Sequence, residues 1–310
     1  MTHPAPAPFP FHLLAPPDPL ALPLPPAARP ADGVRLLRGA VYAVPDGSRP
    51  LTVDLWLPGS AAGPVPLIVF VHGGAWRTGL RDDLGPRFRH WRPGPFARLA
   101  RAGLAVACPD YRLTGEAVHP AQTDDLATAL AWLHGRAGDL GVDTSRTVLW
   151  GESAGGHLAA LTALTQHTRP GTATVTGCVT WYAPTDLASL AEDCPPGRFD
   201  AHDPATFEAL LLGGPPAERP DAARDASPVG RVGPQAPPFL LLHGADDTIV
   251  PARQSVRLAD ALRRSGHHPD LRLLSGADHL WVGLSEEGVE ECFTRTADFA
   301  RACAKNGGRG

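Results

Sequence analysis

Residues 147–158 read TVLWGESAGGHL, and the fold turns on this stretch. Its first four residues are β-branched or apolar, as expected of a strand buried within a parallel sheet. From Ala154 onward, AGGHLAALTAL is rich in helix formers. Gly151, Glu152, Ser153, Ala154 and Gly155 join the two halves as G-x-S-x-G, a sharp strand-to-helix turn that lifts the serine hydroxyl above the sheet. Small flanking residues let strand and helix approach closely. The serine then sits at a helix N-terminus, where the Ala154 N–H and the helix dipole favour negative charge. Ser153 is therefore read as a nucleophile rather than a simple N-cap.

Upstream, residues 34–44 (VRLLRGAVYAV) and 51–58 (LTVDLWLP) flank a PDGSRP turn, and their alternation suggests half-exposed antiparallel edge strands. LIVFVH at 67–72 is uniformly apolar and ends in HGGAW, as a strand at the sheet centre would. Further βα units follow. Helices are expected at 96–102, 122–135 (with Leu126, Leu130 and Leu133 on one face), 252–265 and 287–304; strands are expected at 104–111, 175–182, 239–244 and 271–274. This alternation implies an α/β fold, with a mostly parallel sheet of about eight strands covered by helices on both faces. No internal repeat interrupts it.

Residues 186–238 are rich in Pro, Gly and acidic groups, with only a short helix-like piece at 205–212. A long insertion between two strands suits a lid or pocket wall rather than a second domain. Residues 1–31 hold eleven prolines in the first thirty positions and read as an extended Pro-rich arm, with Phe9, Phe11, Leu13 and Leu14 available for packing. The expected organisation is this arm, a single domain over 32–304, and a short tail at 305–310.

The chain has 310 residues and a net charge of −4, which offers no electrostatic footprint for nucleic acid or an anionic membrane. Lys305 is the single lysine, so the basic content is arginine, which reflects composition rather than phosphate binding. No run of 18 apolar residues predicts a membrane span. Prolines from Pro4 onward break any signal-peptide pattern. Cys108, Cys178, Cys194, Cys292 and Cys303 are odd in number and lack CxxC spacing, arguing against a disulfide framework or a zinc site. A cytoplasmic enzyme with free thiols, no metal and no organic cofactor is expected.

Four motifs occur in order: HGGAW at 72–76, the stretch from PAQTDDLATALAWL to GVDTSRTVLWGESAGGHLAA, LLGGPP leading to ASPV, and PPFLLLHGADDTIVP ahead of GADHLW. Over residues 50–299 these resemble the α/β-hydrolase superfamily, in particular the small esterases of the hormone-sensitive-lipase and BD-FAE (feruloyl or acetyl-xylan esterase) type. HGGAW stands where many lipase-like members have HGGG, and GESAGG replaces the commoner GDSAGG.

That resemblance implies the α/β-hydrolase fold and an order in which acid and histidine follow the serine. Asp247 and His279 lie just past late strands, where loops converge on the serine turn. Asp247 is preferred over Asp246, which suits loop capping; Asp186, after an earlier strand, is the alternative acid. His267 and His268 precede a strand and belong at the opposite edge. The glycine-rich turn after the third strand makes Gly73, Gly74 and Ala75, with Ala154, the expected oxyanion hole, Gly73 chiefly permitting the turn. His72 is read as a structural tie. Trp76, Tyr182, Leu211 and Trp281 are expected to bind substrate.

The expected activity is hydrolysis of small or short-acyl carboxylic esters through an acyl-enzyme, with a small-molecule ester as partner. HGG-x-W also occurs in kynurenine formamidases, which keeps formamide or amide hydrolysis as an alternative. A non-catalytic hydrolase-like binding protein is the opposing reading.

Overall fold

The computed structural model describes residues 18–165 and 170–306. Its strands are β1 (Val34–Ala43), β2 (Leu51–Pro58), β3 (Val65–Val71), β4 (Ala105–Pro109), β5 (Val142–Glu152), β6 (Val175–Trp181), β7 (Phe239–Gly244) and β8 (Asp270–Leu274). They form an eight-stranded sheet in the order β1-β2-β4-β3-β5-β6-β7-β8. β2 pairs antiparallel with β1 and β4, and every other pairing is parallel. The uniformly apolar strand β3 is interior, as are β5 and β7.

A parallel sheet needs cover on both faces, and β5 shows how it is obtained. Leu149 points into one core with Leu126, Leu130, Leu158, Leu258 and Leu262, whereas Val148 and Trp150 enter a second core. The helices behind the first core are α2 (Ala121–Gly135), α4 (Ala154–Thr165) and α8 (Arg253–Arg264). The second core lies beneath α1 (Pro95–Arg101) and α9 (Glu286–Asn306), where Phe70, Phe96, Trp150, Trp181 and Phe293 interlock. α3 (Ala137–Leu140) is one short turn before β5.

Two expectations need correction. β2 is not a half-exposed edge: it lies between β1 and β4, and Asp54, the residue that makes it look alternating, is fully buried. The carboxylate is tolerated there because the Gly39 N–H donates to it at 2.8 Å and Arg38 and Arg81 both lie within 2.9 Å. Second, the 186–238 excursion holds more than one helical piece: α5 (Leu190–Asp193), α6 (Phe207–Leu212), α7 (Pro220–Asp225) and a 3-10 turn at Pro228–Arg231. Pro220 and Pro228 open two of these, where a missing N–H costs nothing.

The feet of this excursion are tied to each other and to α8. Gln254 accepts the Thr185 and Asp186 N–H groups at 2.8 Å each, Ser227 Oγ accepts the Leu187 N–H at 2.9 Å, and Val229 N donates to Thr185 O at 3.1 Å. The arm packs where it is described: Ala28 pairs with Leu36 of β1, Leu24 rests on the core, and Arg136 donates to the Leu20 and Leu22 carbonyls at 3.2 Å. Phe9, Phe11, Leu13 and Leu14 lie outside the described residues, as do the last four residues of the tail.

α4 lies unusually close to the end of β3. A Cβ on Gly155 would collide with the carbonyl oxygens of Val71 and His72. Gly155→Ala is therefore expected to destabilise the fold by about 1–3 kcal/mol through overpacking. In α3, by contrast, a Cβ added at Gly138 would meet nothing within 4 Å, so Gly138→Ala should leave stability unchanged or slightly raised. Urea unfolding of the two variants tests this.

Candidate active site

β5 ends at Glu152 and α4 begins at Ala154, so Ser153 alone makes the turn. It does so at φ 52, the left-handed region that a residue with a Cβ occupies only under constraint. The constraint comes from both sides: Ser153 N donates to Trp181 O at 2.8 Å, and Ser153 O accepts the His157 N–H at 3.1 Å. The result aims the hydroxyl into a cavity of about 940 Å³.

Loops after β7 and β8 meet it there. Asp247 Oδ1 accepts the N–H groups of Ile249 (2.9 Å) and Val250 (2.8 Å), which fix the carboxylate. Its Oδ2 is 2.7 Å from His279 Nδ1, and His279 Nε2 is 3.1 Å from Ser153 Oγ. Burial works to raise the Asp247 carboxyl, but hydrogen bonds and charge from His243 and His279 outweigh it and hold the group well below the usual carboxylate range. An ionised carboxylate only accepts, so His279 carries its hydrogen on Nδ1 and offers a bare Nε2 to the serine hydroxyl. Asp278 locks the two loops together, accepting the N–H groups of Thr248 and His279 at 2.7 Å each.

The other candidates are engaged elsewhere. Asp246 accepts the Gly276 N–H at 2.8 Å, and Asp186 accepts the Ser189 N–H and faces Arg257 at 3.5 Å. His267 donates to Gly233 O at 2.9 Å.

At the end of β3, the Gly73 N–H donates to Glu152 Oε1 at 2.8 Å, so it is not free to meet an oxyanion. That corrects its inclusion in the hole and leaves it the turn-forming role. Gly74 and Ala75 amides meet no acceptor among the described residues, and Ala154 N stands at the first helical position, where the helix supplies none. Ala75 and Ala154 border the cavity beside Ser153. His72 donates through Nδ1 to Gly73 O at 2.8 Å and stacks on Tyr111 at 4.4 Å, while burial lowers its pKa. It ties the loop, as expected.

Of the expected substrate contacts, Trp76 borders the cavity but Tyr182, Leu211 and Trp281 do not. Tyr182 packs on the His279 ring at 4.6 Å and on Trp281 at 4.7 Å; Leu211 is wholly buried in the first core. Both Tyr182 and Trp281 are buried in the second core, where they pack against Trp181. The cavity walls are instead Leu190, Phe199 and Phe207 from the excursion and Ile249 from the acid loop, with Arg198 and Glu208 among them.

Residues 53–262 match the family model BD-FAE. The chain belongs to the BD-FAE family. Its relatives include esterase LipC of Mycobacterium tuberculosis, 31% identical over 64% of this chain and 49% of LipC. The probable carboxylic ester hydrolase LipM of the same organism is 31% identical over 70% of this chain and 48% of LipM. This BD-FAE member thus spans about half the length of the curated relatives it matches. A solved truncated carbohydrate esterase from gut microbiota superposes with a TM-score of 0.73 at 24% identity, over 87% of this chain and 96% of that one. The fold is that of the α/β-hydrolases.

Three buried polar residues of this BD-FAE chain are not singled out by the motifs. Glu152 is 6% exposed, and its Oε2 meets no hydrogen-bond donor among the described residues. Burial raises its pKa, opposed by the Gly73 N–H, the His279 charge and the Tyr182 hydroxyl. His157, fully buried in α4, accepts Trp76 Nε1–H at Nδ1 (3.1 Å) and donates from Nε2 to Ala226 O (2.7 Å). It thereby joins the loop after β3, the nucleophile helix and the excursion. His243, at the end of β7, touches Asp247 itself. A polar residue inside a run of apolar ones, as in AGGHLAAL and FLLLHG, is the signal that points to them.

Burial holds His157 at about 3 against an ordinary value of 6.5. Between those values the unfolded chain binds a proton that the folded chain refuses. The folding stability that this linkage leaves intact is fully present above pH 6.5 and is lost progressively as pH falls towards 3. In His157→Gln, the melting temperature should therefore fall less steeply than in the parent between pH 7 and pH 4, in a thermal-denaturation series.

Proposed function

We propose that this chain hydrolyses carboxylic esters through an acyl-enzyme. The observation that carries the reading is the unbroken relay from Asp247 through His279 to Ser153, at 2.7 and 3.1 Å, opening on a cavity. Ser153 Oγ attacks the ester carbonyl while His279 Nε2 takes its proton. Asp247 holds the tautomer and stabilises the imidazolium, and His279 returns the proton to the leaving alcohol. Water then repeats the sequence on the acyl-enzyme. The Gly74, Ala75 and Ala154 amides receive the oxyanion. Every step uses the chain's own groups, and the partner is a small-molecule ester.

Residues 32–304 act in this reading as one catalytic domain, with 186–238 as the pocket wall. Phe207 and Ile249, 46% and 64% exposed, rim the cavity as apolar contacts. No helix of the described residues is long and apolar enough to cross a membrane. We also infer a cytoplasmic setting, supported by five free cysteines, four of them buried. LipC and LipM are named as ester hydrolases, which favours ester over formamide cleavage. A binding protein has no use for a hydroxyl, an imidazole and a carboxylate held in register.

A series of 4-nitrophenyl esters from acetyl to dodecanoyl tests the reading. kcat/KM should fall with chain length, and Ser153→Ala should lose roughly 10⁶ in kcat. Substantial turnover in that variant, or no fluorophosphonate labelling of the parent, sinks the mechanism. Glu152→Ala, which frees the Gly73 N–H and loosens the oxyanion loop, should lower kcat by about 10²-fold with KM nearly unchanged. Glu152→Gln keeps an acceptor for that N–H and should lose less, as steady-state kinetics of the pair will read.

A further inference from the structure

His243 is the one polar side chain of β7, whose six residues are all buried. Its ring is fully inaccessible, so an imidazole replaces what packing alone would make a leucine. Both nitrogens are used. Nδ1 lies 2.7 Å from Ser255 Oγ on α8, and Nε2 lies 2.9 Å from Val250 O and 3.3 Å from Asp247 Oδ2. A carbonyl and a carboxylate only accept, so the hydrogen sits on Nε2 and Nδ1 accepts the Ser255 hydroxyl.

Asp247 Oδ2 therefore faces two imidazole N–H edges, His279 hydrogen-bonded at 2.7 Å and His243 as a longer contact at 3.3 Å whose hydrogen is shared with Val250 O at 2.9 Å, on top of the two amides on Oδ1. We propose that His243 is a positioning residue of the relay: its Nε2–H fixes the Asp247 carboxylate and limits how strongly Oδ2 binds His279. The inference rests on the relay described above. Each further donor spreads the carboxylate's charge and weakens it as an acceptor for the others. The balance keeps Asp247 ionised throughout the cycle, so the proton taken from Ser153 stays on His279 and remains available for the leaving alcohol. Ser255 sets the direction of the chain, since its hydroxyl on Nδ1 holds the His243 hydrogen on Nε2.

Other groups also face His279. Asp278 accepts its backbone N–H, the Glu152 charge acts on it from the end of β5, Tyr182 packs on its ring from beyond β6, and the Ser153 hydroxyl donates to Nε2. Arg87 donates to Trp281 O in the same loop at 2.6 Å. None of these touches Asp247 Oδ2; substitution at position 243 removes the contact to that oxygen together with the hydrogen bond to Val250 O, whose own N–H holds Asp247 Oδ1.

His243→Leu removes the donor while filling the site, and His243→Gln retains an N–H near the Nε2 position. In His243→Leu, the freed oxygen should bind imidazolium more strongly. The acid limb of the kcat/KM–pH profile should move up by roughly half to one pH unit, and His243→Gln should return most of the way to the parent. Ser255→Ala, a small excision, should shift the limb in the same direction by less. The His279 Nδ1 proton resonance, read without substrate, should move downfield in His243→Leu and Ser255→Ala. Unchanged limb and resonance in Ser255→Ala and in folded His243→Leu overturn the proposal, as does an equal shift in His243→Gln. If the parent cleaves no ester, the resonance still decides the question, which separates failure of this proposal from failure of the ester reading.

Discussion

The approach of α4 to the end of β3 constrains everything around it. Gly155 lies so close to the Val71 and His72 carbonyls that no side chain fits between them. Drawing the helix this near to the sheet leaves one residue for the turn, and that residue is Ser153 in a left-handed conformation. The same approach brings the strand that carries Ser153 beside the strand that leads into the glycine loop, since β3 and β5 are neighbours with Val71 opposite Gly151. Hydroxyl and candidate oxyanion amides thus come from adjacent strand ends rather than from long loops. A scaffold of this kind positions reacting groups through sheet register, which side-chain mobility cannot blur.

Buried charge is the second organising theme. Asp247 is surrounded by donors that keep it ionised, Glu152 is pushed towards its neutral form by burial with one good hydrogen bond against it, and His157 is kept neutral well into acid. Three ionisable groups of one neighbourhood are driven in different directions by what surrounds them. Such divergence is costly to build and clusters at functional sites. Asp54, in β2, is the contrasting case: a buried carboxylate answered by two arginines.

Much of this is legible in the sequence because period and position along strands obey simple geometry. The uniformly apolar run before HGGAW is an interior strand, and Asp247 and His279 lie within reach of Ser153 because both follow late strands whose ends face the serine turn. Where sequence and structure part, a local pattern is overruled by a tertiary contact. Asp54 makes β2 look half-exposed, although two arginines and an amide allow it to be buried. Tyr182 and Trp281 lie in loops beyond strand ends and so suggest pocket walls, but both are drawn into the aromatic packing of the second core, a tertiary contact that composition does not encode. Glu152, His157 and His243 are hidden because each belongs to a motif already explained by its neighbours. A polar residue inside an apolar run remains a question even when the run itself is understood.

The tied feet of the excursion carry one more consequence. Gln254, Ser227 and the Thr185 carbonyl close the base of residues 187–226 with hydrogen bonds that do not involve the cavity walls. Leu190, Phe199 and Phe207 all belong to the segment so closed, whereas Ser153, Asp247 and His279 belong to the sheet and its loops outside it. In the proposed reading, most of the apolar wall is thus carried apart from the reacting groups, with Trp76 and Ile249 as the walls that the sheet loops supply. A change of length or composition in the segment beyond the clasp would alter that wall first, and would reach Ser153, Asp247 and His279 only through the His157–Ala226 and Arg198–Thr248 hydrogen bonds.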